Sequence, residues 1–320
     1  MGIRIKSVAS RVLSLDDSGG RMPVSPKPMG VPPISRGICM AVNDIPGSEQ
    51  FTHLVLTRFN VRNFYHKSEP SDDWLRQRMA LFRRYCLPSF AGQSVNTFTW
   101  LVFFDAETPD WLRKEVEVAS QGVFNAVYVR GEFTKTFLSD TVAHHCSTPF
   151  VITTRVDNDD AVAFDFVEQI QASFDNQELL FVNLVNGAQY SNGKTYLRPY
   201  TRNPFSSLIE NITHQPPLTV FAEHHYKIDE CAPVLNIRTS HPMWLQVVHG
   251  GNVLNEIVGL RVPGSQVNRY FPCAIDTRDT ALSILADQMA GSLRILIRLL
   301  RRPHRLVELY ASLLAQKAPQ

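Results

Sequence analysis

The chain has 320 residues, 44% hydrophobic and 19% charged, with a formal net charge of +2. That is ordinary globular composition, enough for one large α/β domain or two small ones, and the near-neutral balance gives no argument for nucleic-acid binding. No apolar run approaches the ~18 residues that span a bilayer, and the opening segment lacks the apolar core of a signal peptide.

Residues 1–50 are rich in Pro, Gly and Ser without a sustained period and read as a disordered or extended N-terminal arm. Order begins with a strand at His53–Asn60. Asp72 and Asp73 then open a helix whose apolar positions Trp74, Leu75, Met79, Phe82 and Leu87 recur at helical spacing until Pro88 stops it. A second strand covers 97–105, followed by a helix with Pro109 in its first turn. A third strand at 124–129 precedes a helix over Phe133–His145. A fourth, at 149–157, precedes a helix over about 163–175. Four strands alternating with helices predict an α/β fold, a mostly parallel central sheet with helices on both faces.

After about residue 178 the pattern changes to a hairpin around Ser191-Asn192-Gly193. Loop-rich sequence with His214, Glu223, His224 and His225 follows. A short helix or strand then leads into His249-Gly250-Gly251-Asn252. Trp74, Trp100, Trp111 and Trp244 lie in apolar patterns and read as core. Cys39, Cys86, Cys146, Cys231 and Cys273 are scattered and odd in number, which reads as reduced thiols in a cytoplasmic protein. The paired histidines lack zinc-ligand spacing. There is no nucleophile elbow and no dinucleotide-binding glycine pattern.

The segment Pro149–Asp160 carries the chemistry. An apolar strand ends in Asp157, Asp159 and Asp160, and ligands of open α/β sheets bind beyond the carboxyl ends of strands. Asp157 and Asp159 can share one hard divalent cation, which leaves other positions to substrate phosphates. The same residues also suit an acidic turn, and Asp160 is either a further contact or the N-cap of the next helix.

Residues 50–275 resemble the nucleotide-sugar-dependent glycosyltransferases of the GT-A fold. The resemblance rests on "LTRFNVR", "LFRRYCLPSFAGQ" with "FTWLVFFD", "TTRVDNDDA" and "WLQVVHGGN", which look most like the bacterial rhamnosyltransferase family. It implies a GT-A-like catalytic domain over 51–275, with a nucleotide-binding half at 51–177 and an acceptor half at 178–275. It also implies transfer of a sugar, rhamnose among the candidates, from a nucleotide-diphosphate donor to a saccharide or lipid-linked acceptor, in polysaccharide biosynthesis. Mn²⁺ or Mg²⁺ would be held by Asp159, with Asp157 on the metal or the donor ribose and His249 completing the shell. A half-buried structural role for His249 stands beside that reading.

The resemblance sets Thr57, Arg58 and Asn60 against the nucleotide. The Arg58 fork suits phosphate, or else a surface ion pair. Arg155 either contacts the donor or balances its acidic neighbours, and Asp105 either binds base or ribose or serves a turn or cap. The catalytic base would come from Glu223 or Asp229, with Glu223 preferred. Two alternatives stand beside this reading: a carbohydrate-binding protein without turnover, and a nucleotidyltransferase. The second would want a glycine-rich phosphate loop after the first strand, where "TRFNVRNFYHKSEP" has no glycine.

Residues 276–320 differ from the rest. Arg294, Arg298, Arg301 and Arg305 mark one face of a helix rich in Leu and Ile, which Pro303 should break. Such a basic amphipathic tail, strongest over 291–315, suits peripheral contact with the inner face of the cytoplasmic membrane. Otherwise it packs its leucines on the domain.

Overall fold

The computed structural model describes residues 50–62, 70–250 and 256–301. The expected arm at 1–50 lies outside them except for Gln50, as do Gly251 and Asn252 of the predicted turn and Pro303 with Arg305 of the tail.

The strands are β1 (Phe51–Arg58), β2 (Thr99–Asp105), β3 (Asn125–Val129), β4 (Phe150–Arg155), β5 (Ala161–Val162) and β6 (Leu179–Leu184). They continue with β7 (Asn186–Ser191), β8 (Lys194–Pro199), β9 (Ser207–Asn211), β10 (Val234–Ile237), β11 (Trp244–Val247) and β12 (Leu260–Val262). A seven-stranded sheet runs in the order β10-β6-β9-β4-β1-β2-β3, and a five-stranded sheet in the order β12-β8-β7-β11-β5. In the large sheet β9 is antiparallel to both neighbours, and every other pairing is parallel. The mostly parallel α/β sheet expected from the sequence is present.

β1, β2 and β4 are mostly apolar because both their faces are buried, whereas the edge strand β3 is largely exposed or half-buried. Val55, Trp100, Val102, Phe104 and Ile152 enter one core. Their alternating neighbours Leu54, Leu56, Leu101, Phe103 and Val151 enter a second core on the opposite face.

Helix α1 (Asp72–Leu81) starts at Ser71, whose hydroxyl accepts from the Trp74 N–H. The predicted stop at Pro88 does not occur. A π-helical turn at Phe82–Cys86 intervenes, and α2 (Leu87–Ala91) carries Pro88 in its first turn before the chain leaves at Gly92. The Leu87 N–H bonds the Phe82 carbonyl, so the wider turn takes up the register where proline has no N–H to give.

Helices α3 (Asp110–Ser120) and α4 (Lys135–His144) stand where expected. Helix α5 (Phe166–Gln171) is shorter than predicted, because the Ala163 and Phe164 N–H groups donate to the carbonyls of Met243 and Tyr270 instead of lying in a helix. Two one-turn helices, α6 (Ile228–Cys231) and α7 (Ser265–Asn268), precede the long α8 (Ala281–Arg301). The hairpin of β7 and β8 turns at Asn192 and Gly193, both at positive φ of 50° and 77°. Cys86, Cys146, Cys231 and Cys273 are free. Trp100 and Trp244 are core residues, whereas Trp74 and Trp111 are only partly buried, under Arg78 and Arg76.

Trp244 decides the packing of β11. Its ring stacks on Phe205 with centroids 5.1 Å apart, and its indole N–H donates to the Leu184 carbonyl at 2.9 Å. The ring lies across β7 only because residue 187 is glycine. A Cβ there would sit inside the indole, which is a rigid ring rather than a flexible chain end. Gly187→Ala should therefore lower stability by about 3 kcal/mol, the upper range for overpacking a core. Urea denaturation checks this, and a loss within error of zero would refute the packing argument.

Candidate functional site

Because β1, β2 and β4 are adjacent and parallel, their carboxyl ends share one edge of the sheet. Arg58 ends β1, Asp105 ends β2, and Arg155 ends β4 ahead of Asp157–Asp160. β11 runs up from the second sheet and delivers His249 two residues after its end.

The acidic loop is tied down on three sides. Asn158 donates through Nδ2 to the carbonyls of Arg58 and Phe59, at 3.0 Å each, which fixes the loop to the end of β1. Arg78, from α1, reaches Asn158 Oδ1 at 3.2 Å and Asp159 Oδ2 at 2.5 Å. His249 Nε2 lies 2.9 Å from the same Asp159 oxygen. Burial alone would raise the Asp159 pKa, but the His249 hydrogen bond and the Arg78 charge outweigh it and hold the carboxyl below its usual range.

Asp160 does not cap a helix. Its Oδ1 accepts the Val247 N–H at 2.8 Å, which clips the end of β11 to the acidic loop. Burial, then the nearby Asp159 and Asp157 charges, push this carboxyl well above its usual range.

Asp157 has different neighbours. It is partly exposed, and its Oδ1 stands 3.9 Å from both Arg58 and Arg155. Among the described residues no three His, Cys, Asp or Glu side chains form a metal cluster, so the expected set of Asp157, Asp159 and His249 is not assembled. Asp159 Oδ2 and His249 Nε2 stand together, and the hydrogen bond between them would have to open for an ion to take both. Adjacent ligands of an octahedral cation at about 2.1 Å stand about 3.0 Å apart, and two protein ligands suffice when phosphates and water fill the rest. The observed separation is 2.9 Å.

Arg58 and Arg155 both lie against the Phe221 ring, 4.8 and 5.0 Å from its centroid. Arg155 is buried, and its Nε has no hydrogen-bond partner among the described residues. Burial lowers its pKa to about 10, so it stays protonated at neutral pH. His225 joins the rim: burial, then the Arg155 charge, lower its pKa, and Arg202 O lies 2.6 Å from its Nδ1.

Other expected site residues are engaged elsewhere. Thr57 is fully buried and accepts from the Trp100 indole at 3.0 Å, so its hydroxyl belongs to the core rather than to a donor. Asn60 donates to Thr108 Oγ1 at 3.0 Å, and its own Oδ1 accepts the Asp105 N–H. Asp105 accepts the Glu107 N–H and Arg62 Nε, both at 2.7 Å, which is the turn role. Asp229 pairs with Arg202 at 2.9 Å on the surface. Glu223 accepts the N–H of the adjacent His224 at 2.8 Å, and this bond draws its pKa down.

Sequence reading missed Arg78, Asn158, Phe221 and His225. Arg78 stacks on Trp74 one helical turn earlier, yet it meets Asp159 across 81 positions, which no local pattern reports.

Residues 66–261, more than half of the 320-residue chain, match the family described as "Putative rhamnosyl transferase". The chain belongs to that family. Together with the strand order, membership identifies the fold as GT-A-like. No curated protein matches the chain. Solved structures similar to it include S. aureus TarS 1–349 in complex with UDP-GlcNAc, at 13% identity and a TM-score of 0.37, covering 63% of this chain and 60% of that one. TarS itself matches at 14% identity and 0.35, covering 62% of this chain and 37% of TarS. HddC from Yersinia pseudotuberculosis matches at 9% identity and 0.34, covering 59% and 90%. The chain thus spans under two thirds of the TarS structures it matches.

Proposed function

We propose that this protein transfers a sugar from a nucleotide-diphosphate donor to a saccharide or lipid-linked acceptor, with Mn²⁺ or Mg²⁺ held by Asp159 and His249. The observation that carries this reading is the 2.9 Å separation of Asp159 Oδ2 and His249 Nε2 at the sheet's ligand edge. The family description makes rhamnose the first sugar to test. Such an ion, when bound, supplies Lewis-acid stabilisation to the departing diphosphate.

The chain's own residues do the rest. Arg78 keeps the Asp159 carboxylate ionised and oriented, and the Asp160–Val247 clip sets the distance at which His249 faces it. Arg58 and Arg155, backed by Phe221, offer guanidinium forks to phosphate oxygens. Among the described residues Asp157 is the one carboxylate paired with these two arginines, and it is partly exposed, so an arriving diphosphate can compete for them. For the acceptor proton, Glu223 is the better of the two bases. It lies two residues from Phe221, whereas Asp229 is occupied by Arg202.

The test is donor binding and turnover across a panel of nucleotide sugars, with and without Mn²⁺. One donor should bind in a metal-dependent way and be consumed only with acceptor or, slowly, by hydrolysis. Glu223→Gln should bind that donor normally and lose about 10²-fold or more in transfer. Binding indifferent to metal for every donor would remove the metal role, and undiminished transfer in Glu223→Gln would remove the base.

A further inference from the structure

The face of α8 that turns away from the domain is apolar, and the second half of the helix carries arginines and no acidic residue. We propose that this face docks on an anionic phospholipid membrane surface. Half-buried positions 283, 284, 287, 288 and 291 form one side of the helix, the side that packs toward β12. Asp287 is anchored there by Lys194 at 2.8 Å, and Gln288 donates to the Arg261 carbonyl at 3.0 Å. These contacts fix the rotation of the helix about its axis.

Opposite that side, Leu282, Leu285, Met289, Leu293 and Ile297 repeat at intervals of three or four and are all exposed, Leu282 at 81% and Met289 at 66%. At 1.5 Å per residue the stripe is about 22 Å long. Solvated helix faces are normally polar, and an unbroken apolar stripe of this length marks a contact surface. The alternative in which the leucines pack on the domain does not hold for these five positions.

Charge identifies the partner. Between Gln288 and Glu308 the sequence has Arg294, Arg298, Arg301, Arg302 and Arg305 and no acidic residue. A second copy of this chain would add the same arginines and no acidic residue of this segment to pair with them. An anionic bilayer supplies the opposite charge together with an apolar layer for the stripe. No described helix is long and apolar enough to cross a membrane, so the contact lies in the interface plane.

Vesicle flotation of the full chain tests this without any donor, so its outcome is independent of the transfer reading. The chain should float with vesicles containing phosphatidylglycerol and remain behind with phosphatidylcholine alone. Leu285→Gln/Met289→Gln/Leu293→Gln changes only exposed side chains and should cut binding about tenfold or more, with circular dichroism unchanged. Arg294→Gln/Arg298→Gln should cut it about tenfold and weaken its dependence on salt. The proposal is overturned if the full chain does not float, or if the leucine variant floats equally. It is also overturned if that variant turns a stable dimer into a monomer, since a second copy would then cover the stripe.

Discussion

Asp159→Asn should cost about 10²- to 10³-fold in donor turnover while leaving the fold intact, the loss expected when a group that stabilises developing charge is removed. Asparagine keeps an oxygen that can accept from Arg78, so the tie between α1 and the acidic loop survives. What disappears is the negative charge facing His249. Metal-dependent turnover and thermal melting, measured on one preparation, check the two halves of this expectation. Near-normal turnover would show that Asp159 serves only to hold Arg78. Unfolding would show that Arg78 and Asp159 form a structural pair whose charge the loop requires.

Between about pH 4.5 and 6.5 stability should be nearly flat with respect to two buried groups, and each single substitution should tilt it in opposite directions. His53 is buried between Thr154, 2.8 Å from its Nε2, and Gln171, whose Nε2 lies 3.3 Å from its Nδ1. Burial lowers its pKa from 6.5 to about 3. The unfolded chain therefore takes up a proton first, and stability falls as pH drops through that window at up to ~1.4 kcal/mol per unit.

Glu210 works in the opposite sense. Its carboxylate accepts the N–H groups of Leu218 and Thr219 at 2.7 and 2.9 Å, yet burial raises its pKa from 4.5 to about 7. The folded chain holds that proton longer, so stability falls as pH rises from about 4.5 toward 7. Where the windows overlap the two slopes cancel. Glu210→Gln should expose the His53 slope, and His53→Gln the reverse one. Urea midpoints at pH 4.5, 5.5 and 6.5 read both, and parallel curves for all three proteins would refute the assignment.

The parallel half of the sheet was legible because its strands are buried on both faces, which leaves continuous runs such as "TWLVFFD". β10 was not, since "VLNI" is an edge strand with two exposed and two half-buried residues and carries no alternating burial pattern. β9 was missed for another reason: "SLIEN" includes Glu210, a carboxylate buried by contacts made eight and nine residues later. Asp159 and His249 were readable as a pair of residue types suited to metal. Thr57 was misread because position alone cannot tell a hydroxyl aimed at a ligand from one holding a tryptophan. The role of Asp160 follows from β5, a two-residue strand that exists only through its pairing with β11.

The Asp160–Val247 hydrogen bond also bears on how the domain can vary. The chain leaves the acidic loop at Asp160, builds the hairpin, β9 and the Glu223 loop, and comes back within 2.8 Å of its departure point, 87 positions later. That excursion is closed like a ring by its two clipped ends. Lengthening or shortening a surface turn inside it, such as the one at Asn192 and Gly193, changes the insert without changing where its ends meet. The insert can therefore be remodelled as a closed unit while the contact between Asp159 and His249 keeps its place.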